Sequence, residues 1–419
     1  MSSEDSTNEY QFRQLLESRP DPSTISAEIM AVAEKITWNE VLFRIHPTLD
    51  EFEKRADIIL FLQEMVTQSF EGIQAFPYGS VPLKTYLGHG DIDLTVICEP
   101  VEKDLLAEGM YALLKYEEQN SNAEYTVKET KLIGAEVKLV RCKIENVPVD
   151  ISFNQLGGLS TVCFLEKVDH LINKNHLFKR SVLLIKAWCH YECRILGAYH
   201  GLLATYALEA LILFIFQLFG SSLNGPLAVL YRFLDYYGKF DWDNNCISLD
   251  GPVRTSSLPD LVVTDRGNDG AELLFSGENM RFYTDLFAAA TSSNGGQDVR
   301  IFGPMHLNII DPIKKNNNLG RSIYKGNALR IRAAFNYGAR NLGRILQLPS
   351  EYISDEIKMF FECTRMWHRG SGVIPESLSP LLLSDEEDFQ LKSVEGDTDD
   401  ADTMSDEEGL CLEEGERDW

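Results

Sequence analysis

Apolar positions recur at three- and four-residue intervals through ISAEIMAVAEKITWNEVLFRI and EFEKRADIILFLQEMV, which predicts helices over residues 26–66. Between about residues 75 and 155 the period changes. DIDLTVI (91–97) and NVPVDISFN (146–154) are short apolar and β-branched runs, the pattern of buried strands. PYGS (77–80) reads as a turn, 100–116 as an intervening helix, and the segment ending VKLVRCKI as a further strand. From about Thr161 the helical period returns. FLEKVDHLINKNHLFKRSVLLIKAWCHYECRIL predicts one or two long helices, GLLATYALEALILFIFQLFG another, and a helical layer with polar loops runs to about Arg369.

These shifts divide the chain. Residues 1–25 are polar and expected to be disordered; 26–66 form helices packing on the central domain; 67–159 form a small mixed unit of strands and helices. A helical domain follows over 160–375, and an acidic tail over 376–419 carries the low-hydrophobicity, high-charge signature of disorder. The fold class expected is α+β.

A net charge of −25 argues at first against a nucleic-acid partner. Its position changes that. Sixteen acids and two bases lie between Ser384 and Trp419, so the tail carries −14 and the rest of the chain only −11. Ser384 and Ser405, each followed by Asp-Glu-Glu, suit an acidophilic kinase, and the tail could serve a protein partner or compete with RNA for a basic groove. The eight cysteines form no Cys-x-x-Cys pair, and Cys189, His190 and Cys193 make only one loose pair of metal-ligand type, so reduced thiols are expected. Ala207–Gly220 is shorter than the roughly 18 residues of a membrane span and contains Glu209 and Gln217, which favours a buried helix. The polar, acidic start is not a signal peptide, and a protein of the nucleus or cytoplasm is expected, monomeric and without a membrane partner.

The chemistry concentrates in FPYGSVPLKTYLGHGDIDLT. In a strand, Asp91 and Asp93 project from one face while Ile92 and Leu94 face the other. Two close carboxylates repel, and hard cations such as Mg²⁺ between them relieve that. Asp150, in VPVDISF, brings a third carboxylate if its strand lies beside the first, which is what two-metal phosphoryl chemistry needs. Separated from Asp91 by ten residues stand Gly79 and Ser80: a glycine allows close approach of backbone to phosphate, and the serine adds a hydroxyl. Each piece alone also describes an ordinary turn or strand edge; the combination does not.

This arrangement resembles the nucleotidyltransferases of the DNA polymerase β superfamily. It is more closely similar to the noncanonical poly(A)/poly(U) polymerases with an oligoadenylate-synthase-like helical domain, and to a plant-type subgroup sharing runs like FPYGSVPLKTYL, GDIDLT, VDISFNQ and SSLNGPLAVLY. The resemblance covers about residues 30–370. It implies a nucleotidyltransferase catalytic domain, a mixed sheet with flanking helices, over 67–159, and a poly(A)-polymerase-like central domain over 160–375. It further implies that Asp91 and Asp93 hold two Mg²⁺ or Mn²⁺ ions, that Asp150 joins the ion activating an RNA 3′-hydroxyl, and that Gly79 and Ser80 hold the triphosphate.

In the helical domain Lys186 supplies a point charge for a triphosphate or snorkels from a buried helix. Relatives often carry a second lysine one turn on, where His190 stands here. Thr205 and Tyr206 match a Ser/Thr-Tyr pair that contacts the nucleotide, with the tyrosine stacking on the base; a core tyrosine is the alternative. Thr161 matches an Asn-Thr that touches sugar and phosphates. LNIIDPIKKNNNLGR (307–321) resembles the nucleotide-recognition loop, with Asp311 at its start and Asn318 and Arg321 at its end. UTP-preferring relatives have a histidine just before that Asn; here it is Asn317, which favours ATP. The following run carries Arg321, Lys325, Arg330, Arg332, Arg340 and Arg344 with no acid between, and reads as an RNA or triphosphate groove or as a charged helix face. The expected activity is template-independent addition of AMP from ATP to RNA 3′ ends. Addition of UMP, or a weakly catalytic or inactive RNA- or protein-binding scaffold, is the alternative; His190 and Gly-His-Gly-Asp in place of Pro-Asp-Gly-Asp support the scaffold.

Overall fold

The computed structural model describes residues 20–134, 138–258, 282–288 and 302–366; the acidic tail and its serines lie outside them. Helix α1 (Ala27–Thr37) starts at Ser26, whose hydroxyl accepts from the Ile29 amide at 3.2 Å, and continues through a wider π turn at Trp38–Leu42. Helix α2 (Leu49–Ser69) opens on a reciprocal cap: the Thr48 amide donates to the Glu51 carboxylate at 2.8 Å, and the Glu51 amide to the Thr48 hydroxyl at 3.3 Å.

The chain divides into two units. The smaller contains 52–81 and 90–155; the larger contains the chain up to Glu51, 82–89 and the described residues from Leu156 onward. The division therefore falls inside the 26–66 span that periodicity groups together. From Phe52 onward α2 goes with the strands, because Ile58, Leu62 and Val66 are buried and Gln63 donates to the Ala75 carbonyl at 2.8 Å.

The smaller unit is built on five strands: β1 (Gln74–Tyr78), β2 (Ile92–Ile97), β3 (Val127–Ile133), β4 (Leu139–Ile144) and β5 (Val147–Phe153), in the order β1-β2-β5-β4-β3. Short helix α3 (Ser80–Leu83) follows β1, and α4 (Lys103–Gln119) packs on β3, β4 and β5 through Leu106, Ala107, Met110 and Leu114. The strand pairs are antiparallel except β2 with β5, which run parallel at the centre. Nearly continuous apolar runs in β2 and β5 fit strands covered on both faces. Phe76-Pro77-Tyr78, read above as entering a turn, ends an edge strand, where a residue without an amide donor is tolerated.

In the larger unit, α5 (Leu156–Ile172) and α6 (Leu177–Ala187) are separate helices. Asn173, Lys174, Asn175 and His176 all adopt left-handed φ values, which breaks the run that periodicity left as one or two helices. Helix α7 (Thr205–Phe219) is buried from Ala207 to Leu218, as its all-round hydrophobicity requires. It packs against α6 and α8 (Pro226–Lys239), and α8 against α9 (Lys325–Ile345). Helices α10 (Ser350–Phe360) and α11 (Glu362–Met366) complete the layer. A hairpin of β6 (Asn245–Ser248) and β7 (Gly251–Arg254) interrupts the helices and is extended by a bridge from Ile247 to Ile309. Its strands are too short to show a period. Among the described residues no helix is long and apolar enough to cross a membrane.

Candidate active site

The acids of the smaller unit are placed by register. Asp93 lies directly opposite Asp150 in the parallel β2–β5 pair, and Asp91 sits two residues before Asp93, just ahead of the strand. One oxygen from each of the three carboxylates lies within 4.8 Å of the others, the one grouping of this kind among the described residues. Arg55, buried on α2, donates to the Gly90 carbonyl at 2.9 Å and so fixes the turn that delivers Asp91.

The same level of the sheet continues outward on both sides, where Tyr78 pairs with Asp93 and Arg141 with Asp150. The Tyr78 hydroxyl lies 3.1 Å from the Ser152 hydroxyl. Burial, then the neighbouring acids, push its pKa up to about 12, so the phenol keeps its proton and does not serve as a base. Arg141 grips Asp150 with both arms at 2.7 Å, and that bond, reinforced by Asp91 and Asp93, raises its already high pKa. Neither Tyr78, Arg55 nor Arg141 stands out in sequence, because their importance depends on which strands pair.

Gly79 has φ +74°, and a β-carbon there would lie 2.3 Å from an Asp93 carboxylate oxygen. The glycine therefore makes room for Asp93 itself, beyond the access to phosphate that the motif suggests. Ser80 follows, nearly buried, as the first residue of α3.

Four of the residues singled out in the larger unit, Thr161, Tyr206, Asn317 and Arg321, are linked to Asp311 directly or through one neighbour. The Tyr206 hydroxyl donates to Asp311 Oδ1 at 2.9 Å and is hydrogen-bonded to Thr161, while burial and Asp311 hold its pKa well above that of a free phenol. Asp311 also accepts from the amides of Ile313 and Lys314 and from the Asn317 side chain at 2.9 Å. Asn317 in turn accepts from Arg321 at 2.5 Å. Asn318 is buried, accepts from the Ile309 and Gly320 amides and donates to the Gly303 carbonyl and Asn308, so it builds the loop from inside. Thr205 is half-buried at the first position of α7. Lys186 reaches the Thr85 carbonyl at 3.4 Å; one turn on along its neighbour α7, Glu209 is buried, and burial lifts its pKa to about 7 against the pull of Lys186. Within the described residues Cys189 and Cys193 are free thiols and belong to no metal-ligand cluster.

His190 stacks on His89 with ring centres 4.5 Å apart, and the Tyr191 hydroxyl lies 3.1 Å from His89 Nδ1. Burial, then Lys186 and Arg194, lower the His190 pKa to about 4, so it carries no charge at neutral pH. Because the folded value lies below the ordinary 6.5, the unfolded chain binds the extra proton between pH 6.5 and 4 and stability falls as pH falls through that window. The loss approaches about 3 kcal/mol at the acid end. His190→Gln should flatten that part of the curve. Urea midpoints measured at pH 7 and pH 5 check this, and an unchanged pH dependence would contradict a buried neutral imidazole.

Comparison with known proteins follows the same two parts. Residues 36–166 match the family model described as the poly(A) RNA polymerase, mitochondrial-like, central palm domain, and residues 172–365 match the PAP/OAS1 substrate-binding domain. The two matches together span most of the chain, a poly(A) RNA polymerase-type palm followed by a PAP/OAS1-type substrate-binding domain. Poly(A) RNA polymerase cid14 of Schizosaccharomyces pombe is 27% identical over 202 residues, covering 46% of this chain and 29% of that protein. HESO1 of Arabidopsis thaliana is 26% identical over 210 residues, 46% of this chain and 39% of that protein. The chain thus spans well under half the length of the curated relatives it matches. Among solved structures, the poly(U) polymerase Cid1 in a histidine-to-asparagine mutant bound to MgATP superposes with a TM-score of 0.54 at 17% identity, over 78% of this chain and 98% of that one. A cytoplasmic RNA terminal U-transferase superposes at 0.55 and 17% identity, over 78% and 97%. The shared fold is α+β, a mixed sheet with flanking helices plus a helical domain. The acidic triad is a chemically fitting divalent-cation site: three hard oxygen donors converge, with Arg141 as the countercharge on one of them.

Proposed function

We propose that the protein adds AMP from ATP to RNA 3′ ends without a template. The observation that carries this reading is the register that sets Asp93 against Asp150, with Asp91 beside them and Gly79 opened for the Asp93 carboxylate. Asp91, Asp93 and Asp150 would hold two Mg²⁺ or Mn²⁺ ions, which when bound lower the pKa of the RNA hydroxyl and neutralise the developing phosphate charge. Solved neighbours of this fold hold MgATP, MgGTP and an ApU product, which supports a nucleotide and an RNA end as substrates.

In this reading Gly79 and Ser80 serve the triphosphate in the smaller unit; within the larger unit Lys186 and Thr205 contact the nucleotide, Thr161 touches the sugar, and the half-buried Tyr206 ring carries the base. The hydroxyl of Tyr206 is held by Asp311, which fixes the ring's orientation. His190, neutral, takes a packing place where a second lysine would add charge, so Lys186 carries that charge alone. Asn317 is the base-selecting position: a histidine-to-asparagine mutant of Cid1 was captured with MgATP, and this chain already carries an asparagine, bonded to Asp311 and Arg321. Addition of UMP is the competing outcome, since Cid1 is a poly(U) polymerase.

The test is a tailing assay with a short labelled RNA, Mg²⁺ or Mn²⁺, and each nucleoside triphosphate separately. Extension with ATP above UTP is expected. Asn317→His should lower the ATP-to-UTP ratio of kcat/KM by about tenfold, the scale of one base-contacting hydrogen bond. An unaltered ratio would remove Asn317 from base selection. Absence of extension with any nucleotide, from folded protein on several RNAs, would favour the scaffold.

A further inference from the structure

The loop from Cys193 to Gly201 in the larger unit is tied to the first half of α9. The Tyr324 amide donates to the Gly201 carbonyl at 3.3 Å. Asn327 donates to the carbonyls of His200 and Gly201 at 2.9 and 3.0 Å, and Arg330 to that of Cys193 at 3.2 Å. Gly201 is left-handed (φ +66°), and a β-carbon there would lie 2.2 Å from the Tyr324 ring, so the ring packs directly against bare backbone. The two segments make one surface. It exposes Tyr199 and Tyr324, each 68% accessible, together with Arg194, Lys325 and Arg330. Arg194 takes a left-handed φ of 50°, unusual for a side chain of its size.

Arg330 is held by the Cys193 carbonyl, and among the described residues no carboxylate pairs with Arg194 or Lys325, in a chain of net charge −25. Arg332 and Arg344, which the sequence groups with them, are engaged instead: Arg332 by Asp243 at 2.8 Å and Arg344 by Glu356 at 2.6 Å. The surface also borders the nucleotide residues along the chain. Tyr324 follows Arg321 by three positions, and Gly201 precedes Thr205 by four.

We propose that this surface is a track for single-stranded RNA, an inference that rests on the nucleotidyltransferase reading. Exposed rings beside exposed cations suit stacked bases and their phosphates irrespective of base identity. A protein partner would be expected to find a broader apolar centre than two exposed tyrosines.

The experiment measures binding of a short fluorescent oligoadenylate by anisotropy, without nucleotide, across a salt series. Arg194→Glu with Lys325→Glu should weaken binding by at least about tenfold and reduce the slope of log Kd against log salt by about 1.4, two single-strand phosphate contacts. Tyr199→Ala should weaken it several-fold, with Tyr199→Phe restoring it, and KM for ATP should stay at the wild-type value in every variant. Wild-type affinity and slope in the charge-reversed protein, with RNA still extended, would remove the track and leave the nucleotidyltransferase reading standing. Wild-type protein that neither binds nor extends RNA would remove both.

Discussion

Asp93→Ala should abolish nucleotide transfer, by about a thousandfold or more, roughly 4 kcal/mol of transition-state stabilisation, while the protein stays folded. Asp93 stands at the centre of a row that runs Tyr78, Asp93, Asp150, Arg141 across four strands, and it is the acid against which both Gly79 and Asp150 are set. Its loss removes one of three oxygens that lie within 4.8 Å of one another, so the triad would hold a divalent ion less well. Stability should hold or rise, because one charge leaves a cluster of like charges. Asp150→Ala should be equally inactive but differ in stability, since it also frees Arg141 from its two-armed contact; Arg141 is about half exposed, so that loss is small, about 1 kcal/mol or less. Tailing activity, thermal midpoints and Mn²⁺ titration of the two variants together test the assignment. Retained activity in either, or an unchanged Mn²⁺ affinity, would take the acids out of the chemistry.

The row explains what could be read before any coordinates. Asp91, Asp93 and Asp150 are legible because a carboxylate inside an apolar strand is costly to leave without a function, and the alternation of a strand places i and i+2 together. Their convergence needed one further fact, the parallel pairing of β2 with β5, which no local pattern contains because about fifty residues separate the two strands. Arg141 illustrates the limit. In VKLVRCKI it looks like one of several outward-facing bases; only pairing across from Asp150 distinguishes it from Lys143, which bonds Glu129 at the sheet's edge. The helical unit divides the same way. The all-round apolar α7 was plain, whereas β6 and β7 were not, since four-residue strands stabilised by a segment some sixty residues later show no period of their own. In the loop of 307–321 the sequence marks Asn317 and Asn318 alike, and the geometry separates them: Asn318 is enclosed and braces the loop, while Asn317 keeps part of its surface open beside Asp311.

Gly79→Ala is a sharper test of how the acids are held, because it changes no chemical group of the site. Two costs arise together. At φ +74° an L-residue is strained by about 1–2 kcal/mol. The new methyl would also lie 2.3 Å from Asp93 Oδ2 and 3.2 Å from its carboxyl carbon, which forces the carboxylate to turn away, since a short side chain yields more easily than two adjoining strands. The protein should therefore fold with a modest drop in thermal midpoint and lose about a hundredfold in kcat, with Mn²⁺ affinity falling in parallel. A glycine needed only to let a phosphate approach would give another pattern: a raised KM for ATP, with metal affinity in the absence of nucleotide unchanged. Mn²⁺ titration of the nucleotide-free variant separates the two, and wild-type affinity there would mean that Asp93 finds its place without the space Gly79 leaves.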